Sequence, residues 1–385
     1  MKYRLGEICD VVSGGTPSRA TAEFWDGGTI PWIKIGNIQR KYVDEADEYI
    51  TQAGLEGSSA KMLSAGTILF TIFATLGEVG ILTIEACTNQ AIAGITIKNQ
   101  SDILTDYLYY FLKSQKSCIA ALGRGVAQNN INLSILRNFE VPIPDLPMQK
   151  QIVAILDKTA KVVEVRQQQL QQLDELVKAR FVELFGDGNH PHIALIDLII
   201  EGAGLSYGIV QPGDDGTGDM GVLRPVDMVD GKISTASIKY IDRSIGDGFK
   251  KTELYGDELL ITVRGTTGIT ALTDIRFNGM NVTRGIAVVR YDRNKINPVY
   301  LNAYLNTDES QRYIQEHTRG ATLQQINLSD LRVQQIMVPP LALQEQMAAF
   351  IEQTDKSKVV VQDEVNGLLL LYNRFLKEVI IYDQF

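Results

Sequence analysis

The chain has 385 residues, of which 45% are hydrophobic and 22% charged, and its formal net charge is −9. These proportions are those of a globular protein and exclude a disordered, collagenous or low-complexity chain. The acidic balance argues against a broadly basic nucleic-acid-binding surface, so any DNA contact has to be local or shared with a basic partner. At roughly 100–200 residues per domain, the length predicts two to three domains.

The cysteines, histidines and apolar runs exclude further classes. Cys9, Cys87 and Cys118 are far apart with no metal-ligand spacing, and the chain has only three histidines. We therefore expect reduced cysteines and no metal site. The N-terminus lacks the apolar run of a signal peptide, and no apolar stretch approaches the roughly 20 residues that span a bilayer. The sequence thus predicts a soluble cytoplasmic protein.

The first 144 residues predict strands and turns with one short helix. Strands are expected in IPWIKIGNI (30–38), GTILFTIFATLGEVGI (66–81) and NQAIAGITI (89–97), because each is an apolar run bounded by polar turn residues. YLYYFLKS (107–114) has the pattern of a short amphipathic helix. Trp32, in the first of these strands, is expected in the core.

A long helix is predicted from about residue 146 to about residue 184. The prolines of VPIPDLP exclude a helix before it, and the glycines of FGDGNHP end it. Its heptad seam advances by alternating steps of four and three, a pattern typical of a coiled coil, with three polar breaks. The seam consists of Ile152, Leu156, Thr159, Val163, Arg166, Leu170, Leu173, Val177, Arg180 and Leu184.

The second half of the chain repeats this order. Three strand-like segments, MGVLRPVDM (220–228), GDELLITVRGTTGIT (256–270) and NVTRGIAVV (281–289), precede a short helical segment, YLNAYLNT (300–307). A second long helix is predicted from about residue 342 to about residue 382. Its seam consists of Met347, Ile351, Thr354, Lys358, Val361, Val365, Leu368, Tyr372, Phe375 and Val379.

A gapless internal alignment establishes the duplication. Residues 124–151 align to residues 319–346 at a constant offset of 195, and twelve of the 28 positions are identical. The polar breaks at Thr159 and Thr354 coincide under this offset, which favours mutual pairing of the two helices. We therefore predict an α+β fold with two similar strand-rich domains, each followed by a long helix. The predicted boundaries are 1–144 and 187–340 for the domains and 145–186 and 341–385 for the helices.

Motifs of familiar catalytic classes are missing from the sequence. The Gly231-Lys232 pair is followed by Ile233 rather than by the Ser or Thr of a phosphate-binding loop. Asp230 and Lys232 have the spacing of some nucleases, but turn chemistry explains them better. Asn297-Pro298 fits the start of a helix better than a methyltransferase loop. We therefore assign no catalytic residue, no metal and no cofactor.

The order of motifs resembles the specificity (S) subunit family of type I restriction-modification systems. The resemblance is carried by LGEICDVVSGGTPS at the N-terminus, by IPWIKIGNI, by GTILFTIFATLGEVGI with its echo GDELLITVRGTTGIT, and by the two INLS blocks that precede the helices. It implies target recognition domains that each read half of a bipartite, asymmetric site in double-stranded DNA. It also implies an antiparallel coiled coil that docks two methyltransferase subunits, with restriction endonuclease subunits joining through the complex. The subunit itself is then non-catalytic.

Two other classes stay open on the sequence alone. One is a coiled-coil scaffold or ligand-binding protein with duplicated domains and no role with DNA. The other is an enzyme with an unfamiliar site, which would need a pocket with convergent polar groups. Neither explains the fixed repeat offset as simply as a pair of DNA-reading modules does.

Residue type and matching position in the two halves together indicate candidate DNA contacts. Arg, Lys, Asn and Gln read base edges best, and glycines let the backbone approach phosphates. The first half contributes Lys34, Asn37, Thr75, Gly77, Asn89, Gln90, Arg124 and Gly125. The second half contributes Arg224, Arg264, Thr266, Thr267, Asn281, Arg284, Arg319 and Gly320.

Overall fold

The computed structural model describes residues 1–116, 131–211, 213, 218–229, 231–321 and 323–380. The backbone divides into two compact units. Unit 1 comprises Met1–Gln169 with Val361–Phe385, and unit 2 comprises Leu170–Val360. Both divisions fall inside the long helices, so each unit holds one strand-rich domain together with a segment of each helix.

Unit 1 is built on a five-stranded sheet and a three-stranded sheet. Its strands are β1 (Lys2–Arg4), β2 (Cys9–Ser13), β3 (Ile30–Ile33), β4 (Tyr42–Val43), β5 (Glu48–Ile50), β6 (Ile68–Thr71), β7 (Val79–Leu82), β8 (Cys87–Thr88), β9 (Ile92–Ile97) and β10 (Glu140–Pro142). The orders are β2-β9-β6-β7-β4 and β5-β3-β8, and β1 pairs with β10. Every residue of β6 and β7 is buried, as their continuous apolar runs predict.

The helices of unit 1 pack against strands of both of its sheets. They are α1 (Leu5–Ile8), α2 (Gln52–Glu56), α3 (Thr105–Ser114), α4 (Leu133–Arg137) and the long α5 (Leu146–Phe185), which continues into unit 2. In α3 all six residues of the run 107–112 are buried, and they pack with β6, β9 and the start of α5 in one hydrophobic core. This burial explains why the segment carries three tyrosines and a phenylalanine in a row of eight residues.

Unit 2 has a four-stranded sheet, β12-β20-β17-β18, and a three-stranded sheet, β16-β13-β19, while β14 pairs with β15 and β11 with β21. Its strands are β11 (His192–Ala194), β12 (Ser206–Tyr207), β13 (Met220–Leu223), β14 (Met228–Val229), β15 (Lys232–Ile233), β16 (Lys239–Ile241), β17 (Leu259–Arg264), β18 (Thr266–Leu272), β19 (Asn281–Val282), β20 (Ile286–Val289) and β21 (Gln335–Met337). Its helices are α6 (Arg243–Gly246), α7 (Pro298–Leu305), α8 (Asp308–His317), α9 (Leu328–Val333) and the long α10 (Leu341–Ile380), which continues into unit 1. Short 3-10 turns occur at Ala22–Phe24, Ile35–Asn37, Leu195–Leu198, Pro225–Asp227, Asp247–Thr252 and Ile275–Phe277.

Identical residues of the repeat make identical hydrogen bonds in the two units. The guanidinium of Arg137 donates to the Val11 carbonyl at 2.7 Å, and that of Arg332 donates to the Leu205 carbonyl at 2.8 Å. The fully buried Gln149 and Gln344 each donate from Nε2 to the carbonyl of the matched proline, at 2.8 and 2.7 Å. The repeated sequence is therefore the part that fastens each domain to the helix that follows it.

The two long helices pair antiparallel within each unit. In unit 2, Lys358 Nζ lies 2.7 Å from Asp174 Oδ1, and six residues further along α5 the Arg180 guanidinium lies over the Phe350 ring. Later residues of α5 thus meet earlier residues of α10, which defines the antiparallel direction. In unit 1 the Arg166 guanidinium pairs with Glu364 at 2.9 Å.

The predicted heptad seam is confirmed. Its described side chains are all buried or half-buried. The hydroxyls of Thr159 and Thr354 each donate to the carbonyl four residues earlier, at 2.8 and 2.9 Å, a local bond that satisfies these two hydroxyls inside the seam. Each helix has 40 residues and is therefore about 60 Å long.

Candidate nucleic-acid interface

Three arginines lie on neighbouring backbone segments at one end of the interior strands of the four-stranded sheet of unit 2. Arg264 ends β17, and the Val263 amide donates to the Gly285 carbonyl at 2.8 Å, which brings Arg284 beside it. Gln325 forms a bridge to both Arg264 and Arg319. Backbone bridges therefore join the hairpin between β17 and β18 to the segment that carries Arg319 and Gln325. This places Arg264, Arg284 and Arg319 on one surface.

These three guanidiniums are largely uncommitted. Within the described ranges, no side-chain hydrogen bond or ion pair holds Arg264 or Arg284, and Arg284 is exposed. Arg319 is 70% exposed and lies 3.6 Å from Asp330 Oδ2, too far for a strong ion pair. An arginine with a free planar fork can read guanine O6 and N7 bidentately or contact a phosphate.

Unit 1 carries the same backbone frame at the tip of its β6–β7 hairpin. Three hydrogen bonds in one tip have counterparts of equal length in the other. In the first, a backbone amide donates to a threonine hydroxyl. In the second, a loop amide donates to the carbonyl at the strand end, and in the third the amide of that same strand-end residue donates to a carbonyl of the neighbouring loop. In unit 1 these are Glu78 N to Thr71 Oγ1, Ile131 N to Ile72 O and Ile72 N to Ala91 O, and in unit 2 they are Ile269 N to Thr262 Oγ1, Ile326 N to Val263 O and Val263 N to Gly285 O. Gly77 and Gly268 close the two turns with φ of 80° and 88°.

The side chains on this shared frame differ between the units. Thr71 matches Thr262, so Phe73, two residues later, occupies the position of Arg264. Ala91 matches Gly285, so Gln90 occupies the position of Arg284. Phe73 is 39% exposed. Gln90 is exposed and its Oε1 accepts from the Thr16 hydroxyl. The predicted contacts Arg124 and Gly125 lie outside the described residues.

Two predicted basic contacts are held by carboxylates instead of being free. Lys34 Nζ lies 2.6 Å from Glu48 Oε1, and this hydrogen bond lowers the pKa of the Glu48 carboxyl. Arg224 pairs with the buried Asp227 at 3.0 Å. The backbone amides of Lys34 and Arg224 also donate to Asn37 Oδ1 and Asp227 Oδ2, both at 2.8 Å, so Asn37 and Asp227 serve as equivalent turn caps.

Asn281 and Thr267 have structural positions. Asn281 is 1% exposed, accepts from the Thr252 hydroxyl at 2.8 Å and donates to the Phe249 carbonyl at 3.1 Å. Thr267 is 5% exposed and its hydroxyl lies 3.0 Å from that of Thr318. Side chains that are buried and bonded in this way cannot reach a base edge, so we remove Asn281 and Thr267 from the contact set.

The remaining candidates lie in turns. Thr75 and Thr266 are exposed at the two hairpin tips. Asn89 is half-buried and its Oδ1 accepts from the Ala91 amide at 3.1 Å. Gly320 has φ of 100°, and a Cβ there would lie 2.3 Å from the Leu323 carbonyl oxygen, so the turn itself requires glycine. Trp32 is 3% exposed, as expected for a core residue.

Potential metal ligands and cysteines occur within the described part of the chain. Its His, Cys, Asp and Glu residues form no group of three or more that could hold a metal ion. Burial raises the pKa of the Cys9 thiol to about 12 and that of the Cys87 thiol to about 11, which disfavours the nucleophilic thiolate. Among the helices of the described ranges, none is long and apolar enough to cross a membrane.

Comparisons with known proteins agree with this architecture. The family model for the type I restriction modification DNA specificity domain matches residues 1–175 and 219–365. The specificity subunit of the type I restriction enzyme EcoR124I/EcoR124II from Escherichia coli is 33% identical over 160 residues, which are 40% of this chain and 39% of that relative. The MjaIX specificity subunit from Methanocaldococcus jannaschii is 22% identical over 376 residues, which are 91% of this chain and 85% of that relative. The match to the first relative thus spans less than two thirds of its length.

Solved structures have the same fold. The S subunit of a type I restriction-modification system from M. genitalium has a TM-score of 0.58 at 15% identity and covers 99% of this chain and 96% of its own. A chain from a study of complex assembly and conformational transition in the type I R-M system has a TM-score of 0.62 at 16% identity and covers 99% of this chain and 97% of its own. The family match extends over most of the sequence, in two segments that follow the internal repeat, and the chain belongs to the family of type I restriction-modification DNA specificity subunits.

Proposed function

We propose that this chain is the non-catalytic DNA-recognition subunit of a cytoplasmic type I restriction-modification complex. Domain 1 (1–144) and domain 2 (187–340) each read one half of a bipartite, asymmetric site in double-stranded DNA. The helical segments 145–186 and 341–385 dock methyltransferase subunits, two per chain, and endonuclease subunits join through them.

One observation carries the reading of two different half-sites. The hairpin tips of the two units share a hydrogen-bonded frame, yet one tip presents Phe73 and Gln90 where the other presents Arg264 and Arg284. Equal backbones would approach DNA in the same way, and unequal side chains would select different bases. Two domains with different base preferences would together recognise an asymmetric site.

The outer faces of the long helices support docking of protein partners. In unit 2, Val359 and Val360 of α10 are 50% and 59% exposed. In unit 1, Val165 of α5 is 48% exposed and Leu370 of α10 is 71% exposed. Exposed apolar side chains along a helix favour packing against partner helices.

Methylome sequencing of the source genome tests the proposal directly. Deleting the gene should abolish methylation at one bipartite motif and leave all other motifs methylated. Replacing residues 1–144 with the equivalent domain of a relative should change one half of that motif and leave the other half unchanged. The matched control replaces the domain with itself, recoded at the nucleotide level, and should restore the original motif.

Two outcomes contradict the proposal. A methylome that is the same with and without the gene would exclude a specificity role. In that case the scaffold hypothesis, in which the duplicated domains bind other ligands, would account better for the chain. A domain exchange that altered both halves of the motif together would exclude independent reading by the two domains.

A further inference from the structure

The hairpin tip of unit 1 holds a strained residue. In the described ranges, Ala74 is the one residue other than glycine with a positive φ, at 57°. This left-handed conformation is costly for a side chain with a Cβ. The matching residue of unit 2 is Gly265, with φ of 85°, and a Cβ added there would meet nothing within 4 Å. The frame thus imposes the conformation, and unit 1 adopts it without a glycine.

The strained turn projects an aromatic side chain. Ile72 is 3% exposed, whereas its neighbour Phe73 is 39% exposed, as expected when successive residues of an extended segment point to opposite sides. The turn is fixed on both flanks, since the Gly77 amide donates to the Thr71 carbonyl at 3.0 Å and the Thr71 hydroxyl donates to the Thr75 carbonyl. A bulky apolar side chain is therefore presented on a turn that is closed by these hydrogen bonds, where the other unit presents Arg264.

From this arrangement we propose that Phe73 is a specificity-determining residue that contacts the C5-methyl group of a thymine in the half-site read by unit 1. The inference rests on the proposed function. A two-stranded ribbon fits the major groove, where arginine pairs with guanine and apolar side chains contact the thymine methyl group. Phe73 has no hydrogen-bonding group, so at the position of Arg264 it selects the one apolar group that the major groove displays.

Removing the methyl group from DNA tests this contact without changing base pairing. Once the methylated motif is known, each thymine of the half-site read by unit 1 is replaced in turn by deoxyuridine, which lacks the methyl group. Dissociation constants are measured for the complex of the chain with its methyltransferase subunits. We expect one position at which the replacement weakens binding about fourfold, which is ~0.8 kcal/mol for one buried methyl group.

Variants of the chain complete a double-mutant cycle between residue 73 and the thymine methyl group. Phe73→Ala should weaken binding to the thymine duplex about tenfold or more, as expected for loss of a buried aromatic contact, and should no longer distinguish thymine from deoxyuridine. Phe73→Leu keeps an apolar contact and should retain part of the discrimination. The matched control is Tyr3→Ala, because Tyr3 is 38% exposed in the same unit but lies on β1, away from the hairpin tip. It should behave as the wild type.

The outcomes separate this inference from the function it rests on. Three outcomes would each overturn the role of Phe73 and leave the proposed function intact. The first is specific binding that is insensitive to deoxyuridine at every position, and the second is a half-site without thymine on either strand. The third is a Phe73→Ala variant that still distinguishes thymine from deoxyuridine. A wild-type complex that prefers no DNA sequence would overturn both. Circular dichroism of Phe73→Ala should match the wild type, since Phe73 belongs to none of the described core clusters.

Discussion

Replacement of the buried Gln149 by alanine should destabilise unit 1 by about 3 kcal/mol. Its Oε1 accepts from the Leu104 amide at 2.9 Å, and its Nε2 donates to the carbonyls of Asp102 and Pro144, both at 2.8 Å. The side chain is 0% exposed, so water cannot replace these bonds. With a net contribution of about 1 kcal/mol for each hydrogen bond, the three together give this loss. Urea unfolding followed by circular dichroism measures it.

The repeat supplies matched controls for this prediction. Gln344→Ala should lose about 2 kcal/mol, because Gln344 accepts from the Asn297 amide at 2.8 Å and donates to the Pro339 carbonyl at 2.7 Å. Gln151 and Gln346 are also identical between the repeats but are exposed, so their alanine variants should change the unfolding free energy by no more than about 0.5 kcal/mol. If Gln149→Ala and Gln151→Ala had the same unfolding free energy, the hydrogen bonds of Gln149 would not stabilise the contact between the domain and its helix.

Two further substitutions test other parts of the molecule. Arg264→Ala should weaken binding of the assembled complex to its site about 10- to 100-fold and relax the choice of base at one position of the half-site proposed for unit 2. Competition binding with different DNA sequences measures this. A uniform loss of affinity across all sequences would instead indicate a phosphate contact. Lys41→Met should lower the unfolding free energy by about 1–3 kcal/mol at pH 7, between the values for exposed and buried ion pairs, because Lys41 Nζ lies 2.7 Å from Asp106 and 2.5 Å from Asp157 and both carboxylates are partly exposed. Burial alone would lower the pKa of Lys41, but the hydrogen bonds to Asp106 and Asp157 raise it above 10.5, so this stabilisation is present below that pH and is lost as the pH rises beyond it. The wild type and the variant should therefore converge in urea titrations at alkaline pH, and a constant difference would exclude the ion pairs as its source.

Much of the fold was predictable because its signals are periodic and repeated. The seam from Ile152 to Leu184 and its copy from Met347 onward predicted both long helices, which begin at Leu146 and Leu341. Continuous apolar runs predicted the buried strands β6 and β17. Sheet order was not predictable, since the parallel pairing of β3 with β8 joins segments that are far apart in sequence and carry no local signal for each other.

The candidate interface was only partly predictable, because residue type does not reveal the partner of a side chain. Arg224 and Arg264 are both arginines near strand ends, yet the first is neutralised by the buried Asp227 three residues away. Asn281 follows a turn like many exposed amides but is buried against Thr252. Phe73 carries no group that can hydrogen-bond a base edge, so its residue type alone does not indicate a DNA contact. Aligning Thr71 with Thr262 would have placed it opposite Arg264.

Under the proposed function, the shared hairpin frame separates the positions that matter for folding from those that would select the DNA sequence. Its closure depends on backbone groups and on the hydroxyls of Thr71 and Thr262, while the apical side chains contribute little to folding. A codon change at Phe73 or Arg264 would therefore leave the chain above its stability threshold. A lineage carrying this gene could exchange one recognition sequence for another in single mutational steps, without passing through an unfolded ancestor.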